Sequence, residues 1–314
     1  MHKLPDFVIA GERRSGSTTL YEILKQHPEI GMHAVSDLDY FIGQPLFSLK
    51  DGAEANDNAW ERNHAIEGYE KLFDGLNGIV GHKDADLLWW RPSHSRMATH
   101  LPDTKFIFVL RNPAKRAESQ YWNEFRKGRE NSTFKEALAR EEKAALTPWQ
   151  QLHLQYKARG CYVDSLAHFT KHIPKDRVLV VVLENLFADL NNELKRICDF
   201  SGASSTGIEK LAAVHSNKEE VLVINPKYKN TLIEKMIGFY DRGANAIIKR
   251  IAKSKEEKNK LKTRFTRLGK ISARLAYPIS KADLKELSDF YLPFNKKLED
   301  EYGVSTEKWK TYKA

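Results

Sequence analysis

Two short runs in this chain combine arginines, small residues and hydroxyls at spacings that suit phosphate. The first is Gly11-Glu12-Arg13-Arg14-Ser15-Gly16-Ser17-Thr18, set between an apolar run and a helical pattern. Small residues let backbone N–H groups close on an anion, and a helix N-terminus adds partial positive charge. The spacing is that of G-x-x-x-x-G-K-[ST], except that Ser17 stands where the pattern has Lys. A kinase or ATPase loses its β/γ-phosphate lysine by that change, and here the charge comes earlier, from Arg13 and Arg14. The plainer alternative is a tight turn with exposed arginines. The second run is Arg111-Asn112-Pro113, with Ser119 eight residues after Arg111. An arginine at a strand end offers bidentate, charge-assisted contact to phosphate, and a hydroxyl in the following helix adds a donor.

These residues need strand ends to hold them. Phe7–Ala10 reads as a buried strand followed by a helix over Ser17–His27, stopped by Pro28. Ile79–His82 is a weaker strand. Lys105–Leu110 is a strong one, followed by a helix over Ala114–Phe125. Helices are expected over Thr133–Leu146 and Trp149–Lys171. Val178–Leu183 is the most apolar strand, with a helix at Leu190–Ser201, and Asp283–Tyr302 reads as a final helical region. Apolar strands alternating with amphipathic helices predict an α/β fold: a P-loop-like parallel sheet flanked by helices. Residues 1–314 read as one domain, with a core over about 5–215 and helical, basic elaborations over about 216–314.

Composition narrows the partners. Hydrophobic residues make up 41% of the chain, enough for a core and too many for overall disorder. The net charge is +9, but Lys227–Arg274 holds 15 basic and 4 acidic residues, so the rest is near neutral. A uniformly nucleic-acid-like surface is not expected; an anionic ligand held from one side is. Two cysteines cannot build a disulfide framework or a four-cysteine zinc site. No metal is expected. The absence of a signal-peptide core or an 18-residue apolar run predicts a cytoplasmic chain without a membrane span.

The two phosphate motifs together resemble the sulfotransferase family. There an R/K-S-G-T-T loop binds the 5′-phosphosulfate of 3′-phosphoadenosine-5′-phosphosulfate (PAPS), and an R-N-P…S element binds its 3′-phosphate. Arg14-Ser15-Gly16-Ser17-Thr18 is similar to the first, with one Ser for Thr, and Arg111-Asn112-Pro113 with Ser119 is similar to the second. His27-Pro28-Glu29-Ile30, Leu101-Pro102-Asp103-Thr104-Lys105, Ser132–Leu138 and Asp289–Trp309 extend the resemblance, toward the carbohydrate and bacterial branch. The cytosolic branch's Arg-Lys-Gly motif is absent.

The resemblance implies PAPS as co-substrate, PAP as product, and a saccharide or other hydroxylated small molecule as acceptor. Arg14 then stabilises charge on the bridging oxygen, with Arg13 as a neighbour able to share that role. For the base the resemblance offers two residues. Asp37 matches the Glu of a K-E-x-x-F-F segment, with Ser36 in place of the Lys. His82 matches the base of the cytosolic branch, and imidazole is a natural proton acceptor near neutrality. Lys83 is a candidate to meet the sulfate. Trp89, Trp90 and Arg91, with His94, form an aromatic–basic cluster suited to an acceptor. Arg264, Arg267, Gly269 and Lys270 in the basic segment are candidates to close over the nucleotide. The rival readings are a P-loop-type nucleotide kinase and a nonenzymatic polyanion-binding protein.

Overall fold

The computed structural model describes residues 3–43, 66–143, 145–206, 208 and 279–309. The basic segment 227–274, with Arg264, Arg267, Gly269 and Lys270, lies outside them. Among the described residues there are five strands: β1 (Phe7–Gly11), β2 (Ile30–Met32), β3 (Ile79–Lys83), β4 (Lys105–Leu110) and β5 (Val178–Val182). They form one sheet in the order β2-β3-β1-β4-β5. Every pairing is parallel, with Ile9 beside both Lys83 and Ile107, and Leu110 beside Val182. The expected α/β architecture is therefore present.

Strand alternation sends side chains to two cores. Val8, Ala10, Phe106, Phe108, Leu110, Val180 and Val182 face one side. Helix α7 (Tyr162–Phe169) covers them, with Trp309 from the C-terminal segment. Phe7, Ile9, Ile107, Val109 and Val181 face the other, under α1 (Ser17–Leu24) and α9 (Leu190–Ser201). Each fully buried side chain of this kind contributes about 1.5–3 kcal/mol over its exposed state. Gly81 is required where β3 meets β1, because a Cβ there would stand 2.4 Å from Cζ of Phe7.

The remaining described helices are α2 (Ile66–Lys71), α3 (Ser93–His100), α4 (Pro113–Arg126), α5 (Phe134–Lys143), α6 (Pro148–His153), α8 (Leu183–Ala188) and α10 (Lys281–Tyr302). Among these residues no helix is long and apolar enough to cross a membrane. The expected continuous helix over Trp149–Lys171 is broken into α6, a 3-10 turn at Ala158–Gly160, and α7. The carboxylate of Glu141 accepts the backbone N–H groups of Lys157 (2.8 Å) and Ala158 (3.0 Å), so helical carbonyls do not. Gly160 then lies under the ring of Tyr291, where a Cβ would be 2.5 Å from the ring.

Candidate active site

The donor-type loop leaves β1 at Gly11 and enters α1 at Gly16. Gly16 has φ +94°, and a Cβ there would lie 2.4 Å from Cδ1 of Leu183 at the start of α8. No side chain caps α1, which leaves its first-turn N–H groups for an anion. Ser15 and Ser17 are buried, while Arg14 and Thr18 are exposed. Arg14 itself has φ +67°, a turn conformation that lifts its side chain out of the loop.

The second motif is held at the end of β4. Asn112 caps α4 through the Lys115 N–H (3.0 Å), with Pro113 at the first helical position. The Asn112 N–H donates to Glu184 Oε1 (3.1 Å), its Nδ2 donates to the Trp309 carbonyl (2.8 Å), and Trp309 Nε1 donates to Glu184 Oε2 (2.8 Å). The Tyr162 hydroxyl donates to the Arg111 carbonyl at 2.7 Å. So fixed, Arg111 reaches the Arg14 carbonyl with its Nη1 (3.4 Å), and Arg14 Nε donates to Ser119 Oγ (3.1 Å). The two motifs, about a hundred residues apart, thus meet at the carboxyl ends of β1 and β4. Partial burial and the neighbouring Arg126 and Arg111 push the Arg14 guanidinium below its ordinary pKa. Like charges held this close make a site that favours a polyanion. The donor set, guanidinium groups with a hydroxyl and helix-end N–H groups, fits a nucleotide carrying two separate phosphates.

Beyond β3 lies an acidic region. Lys83 is buried, and its Nζ sits 2.6 Å from both oxygens of Asp37. The Ala85 N–H adds a bond to Asp37 Oδ1 (3.0 Å), yet the Asp37 side chain remains 40% exposed and accessible to a reactant. Asp39 donates its N–H to Asp84 Oδ2 (3.0 Å). Burial and the nearby Asp86 and Asp37 push the Asp39 carboxyl up to about 7. Burial, reinforced by Asp39 and Asp37, also raises Asp84 well above the carboxylate range.

Three sequence-derived assignments change on this geometry. His82 belongs to the core: it is 1% exposed, against Tyr69 (5.8 Å) and Phe73 (5.5 Å) between ring centroids. Burial, with His33 and Lys83 nearby, drives its pKa down to about 3, which makes it a weak proton acceptor. Arg13 does not share Arg14's surroundings. Its Nε donates to Asp86 Oδ1 (2.8 Å), its Nη2 to Asp86 Oδ2, and its Nη1 meets His153 Nδ1 (2.9 Å). Lys83 is consumed by Asp37 rather than presented to solvent. Trp89, Trp90 and Arg91 do come together, lining a groove of about 350 Å³ with Gln151 and Gln155. Trp90 is largely core, and Trp89 Nε1 donates to the Gln151 carbonyl (3.0 Å). His94 is buried, bonded to His168 Nδ1 (2.8 Å) and the Leu87 carbonyl (3.0 Å). Among the described residues no group of three or more His, Cys, Asp or Glu is arranged to hold a metal.

Residues that the motifs did not reveal complete the site. Arg159 is 1% exposed and donates from Nε to Glu12 Oε1 (2.8 Å) and from Nη2 to Asp86 Oδ1 (2.7 Å). Glu124, fully buried, lies 3.1 Å from Arg129 and 3.8 Å from Arg13. A charged Glu12 inside a loop of small residues was the available signal for this network; its partners lie too far along the chain to be paired from sequence.

The chain is similar to known proteins. Residues 4–266 match the family model described as "Sulfotransferase domain". Mouse heparan sulfate glucosamine 3-O-sulfotransferase 3A1 is 26% identical over 300 residues, covering 94% of this chain and 62% of that protein. Human heparan sulfate glucosamine 3-O-sulfotransferase 3B1 is 29% identical over 202 residues, covering 64% of this chain and 46% of that protein. The chain thus spans under two thirds of these relatives' length. A sulfotransferase from Alicyclobacillus acidocaldarius superimposes with a TM-score of 0.54 at 24% identity, covering 82% of this chain and 99% of that one, and has the same fold. With a family match over most of its length, the chain belongs to the sulfotransferase-domain family.

Proposed function

We propose that the chain moves the sulfuryl group of PAPS to a hydroxyl or amine of a carbohydrate or glycosylated metabolite. One observation carries this reading: Arg14 meets Arg111 and Ser119 at adjoining strand ends, on the same edge of the sheet as the Lys83–Asp37 pair. PAPS supplies an activated sulfuryl group joined to a 5′-phosphate. Arg111 and Ser119 hold its 3′-phosphate. The α1 N-terminus and Arg14 hold the 5′-phosphate and balance charge on the bridging oxygen as its bond to sulfur breaks. Asp37 takes the acceptor proton while the acceptor oxygen forms the new bond to sulfur, and the electron pair of the old bond leaves with PAP. Lys83 and the Ala85 N–H keep the Asp37 carboxylate oriented. The exposure of Asp37 against the burial of His82 supports the carboxylate as base. The similarity to heparan sulfate glucosamine 3-O-sulfotransferases supports a saccharide acceptor.

PAP at a hundred times its Kd is expected to stabilise the fold by about 2.7 kcal/mol, a rise of roughly 4 °C in Tm. ATP is expected to shift Tm less. A response to ATP and none to PAP would return the nucleotide-kinase reading. With PAP binding retained, Asp37→Asn is expected to abolish transfer, and His82→Asn to leave it largely intact.

A further inference from the structure

The segment after β3 touches both halves of the proposed reaction centre. Lys83 Nζ and the Ala85 N–H hold Asp37 on the acceptor side. One residue on, the Asp86 carboxylate holds Arg13 of the donor loop, next to Arg14. The segment is itself pinned to β1 on either side of Asp86. The Asp84 N–H donates to the Ile9 carbonyl (2.9 Å), and the Leu88 N–H donates to the Ala10 carbonyl (2.9 Å). It packs so closely on Gly11 that a Cβ there would lie 3.1 Å from Cβ of Leu88 and 3.3 Å from the Ala85 carbonyl oxygen.

A ring of four charges closes behind it. Asp86 binds Arg13 and Arg159; Arg159 binds Glu12; and Glu12 Oε1 accepts the Arg13 backbone N–H at 2.8 Å. Two acids face two bases in the ring, with Glu124 3.8 Å from Arg13, and burial pushes the Glu12 carboxyl up. Glu12, Asp86 and Arg159 are each at most 3% exposed. Burial alone would favour a neutral Asp86, but Arg13 and Arg159 outweigh it and hold that carboxyl well below the usual range. Replacing buried ion pairs by apolar residues is often neutral or stabilising, so stability alone is a weak reason for such a ring. Geometry is a stronger one, since the ring joins residues 12, 13, 86 and 159 from three separate stretches of chain.

We infer that Asp86 is a positioning residue: through Arg13 and Arg159 it sets the distance between Arg14 on the donor loop and the Asp37–Lys83 pair on the acceptor side. The inference rests on the sulfotransferase reading above. It assigns a role to a residue that touches neither the nucleotide contacts Arg111 and Ser119 nor Asp37 itself. A misplacement of about 1 Å in such a centre costs on the order of a hundredfold in rate.

The test uses the full chain with Asp86→Asn, which keeps shape and removes charge, and Asp86→Glu, which keeps charge and lengthens the arm. PAP affinity is measured by calorimetry. Turnover of PAPS is followed with heparan sulfate as acceptor and with water alone. For both variants the expected result is a PAP Kd within threefold of wild type, an unchanged KM for PAPS, and a kcat at least tenfold lower. If Asp86→Asn does not fold, Asp86→Glu alone carries the comparison. A folded variant with kcat within threefold of wild type overturns the inference, as does a PAP Kd that weakens in step with kcat. A wild-type chain that fails to bind PAP instead sinks the sulfotransferase reading, and this inference with it.

Discussion

Arg13 and Arg14 are chain neighbours of one residue type with opposite surroundings. Arg13 turns inward to Asp86 and His153, with Glu124 close by, and its charge is cancelled there. Arg14 turns outward to a hydroxyl, among Arg111 and Arg126, and its charge is reinforced. The same cation is therefore held by acids in one position and set among other cations in the next. What separates them is the supply of acids: the inward face has Glu12, Asp86 and Glu124, whereas Ser119 supplies a neutral oxygen to the outward one.

The contrast can be broken at either end. The largest expected effect is on the inward face. Arg159→Ala leaves Glu12 and Asp86 short of a buried partner and is expected to cost about 3–5 kcal/mol, read as a fall in the urea midpoint. Next is Arg14→Ala, expected to lower kcat by roughly 10²–10³ while Tm stays within a few degrees, since no acid loses a partner. A Tm collapse there would erase the distinction between the two arginines. Arg111→Ala comes third, with PAP affinity falling on the order of 10–100-fold, the loss of charged hydrogen bonds worth about 1.5–3 kcal/mol. A pH effect at Asp39 comes last. Its folded carboxyl titrates near 7 and the unfolded one near 3.8, so the folded state binds the extra proton between those values. Stability tied to Asp39 is therefore fully present below the lower value, falls as pH rises, and is lost above about 7. Asp39→Asn is expected to flatten the decline of Tm between pH 5 and 8.

Strands β1, β4 and β5 were legible because each is a largely apolar run, buried over most of its length. The meeting of Arg14 with Arg111 and Ser119 was suggested because loop and strand-end patterns are local: Arg14 stands two residues from Gly16, and Arg111 eight from Ser119. Strand β2 was not, since Ile30–Met32 is too short to show a period. The break between α6 and α7 was hidden because the Glu141 carboxylate that ends it sits on another helix. Arg13 was ambiguous for the same reason. Its fate depends on Asp86, 73 residues away, and proximity over that separation leaves no trace in spacing. The burial of His82 was hidden because a histidine at a strand end gives no sign of the aromatic side chains that will close over it.

The clasp among Asn112, Glu184 and Trp309 has a consequence in time. Trp309 lies 197 residues after Asn112, yet its carbonyl holds the Asn112 side chain and its indole holds Glu184. A chain emerging from the ribosome carries the donor loop and β4 long before it carries Trp309. Until the segment from 279 onward docks, the turn that carries Arg111 lacks this brace. On the proposed reading nucleotide binding depends on that docking, and PAP affinity in chains trimmed before Trp309 reads out what the clasp contributes.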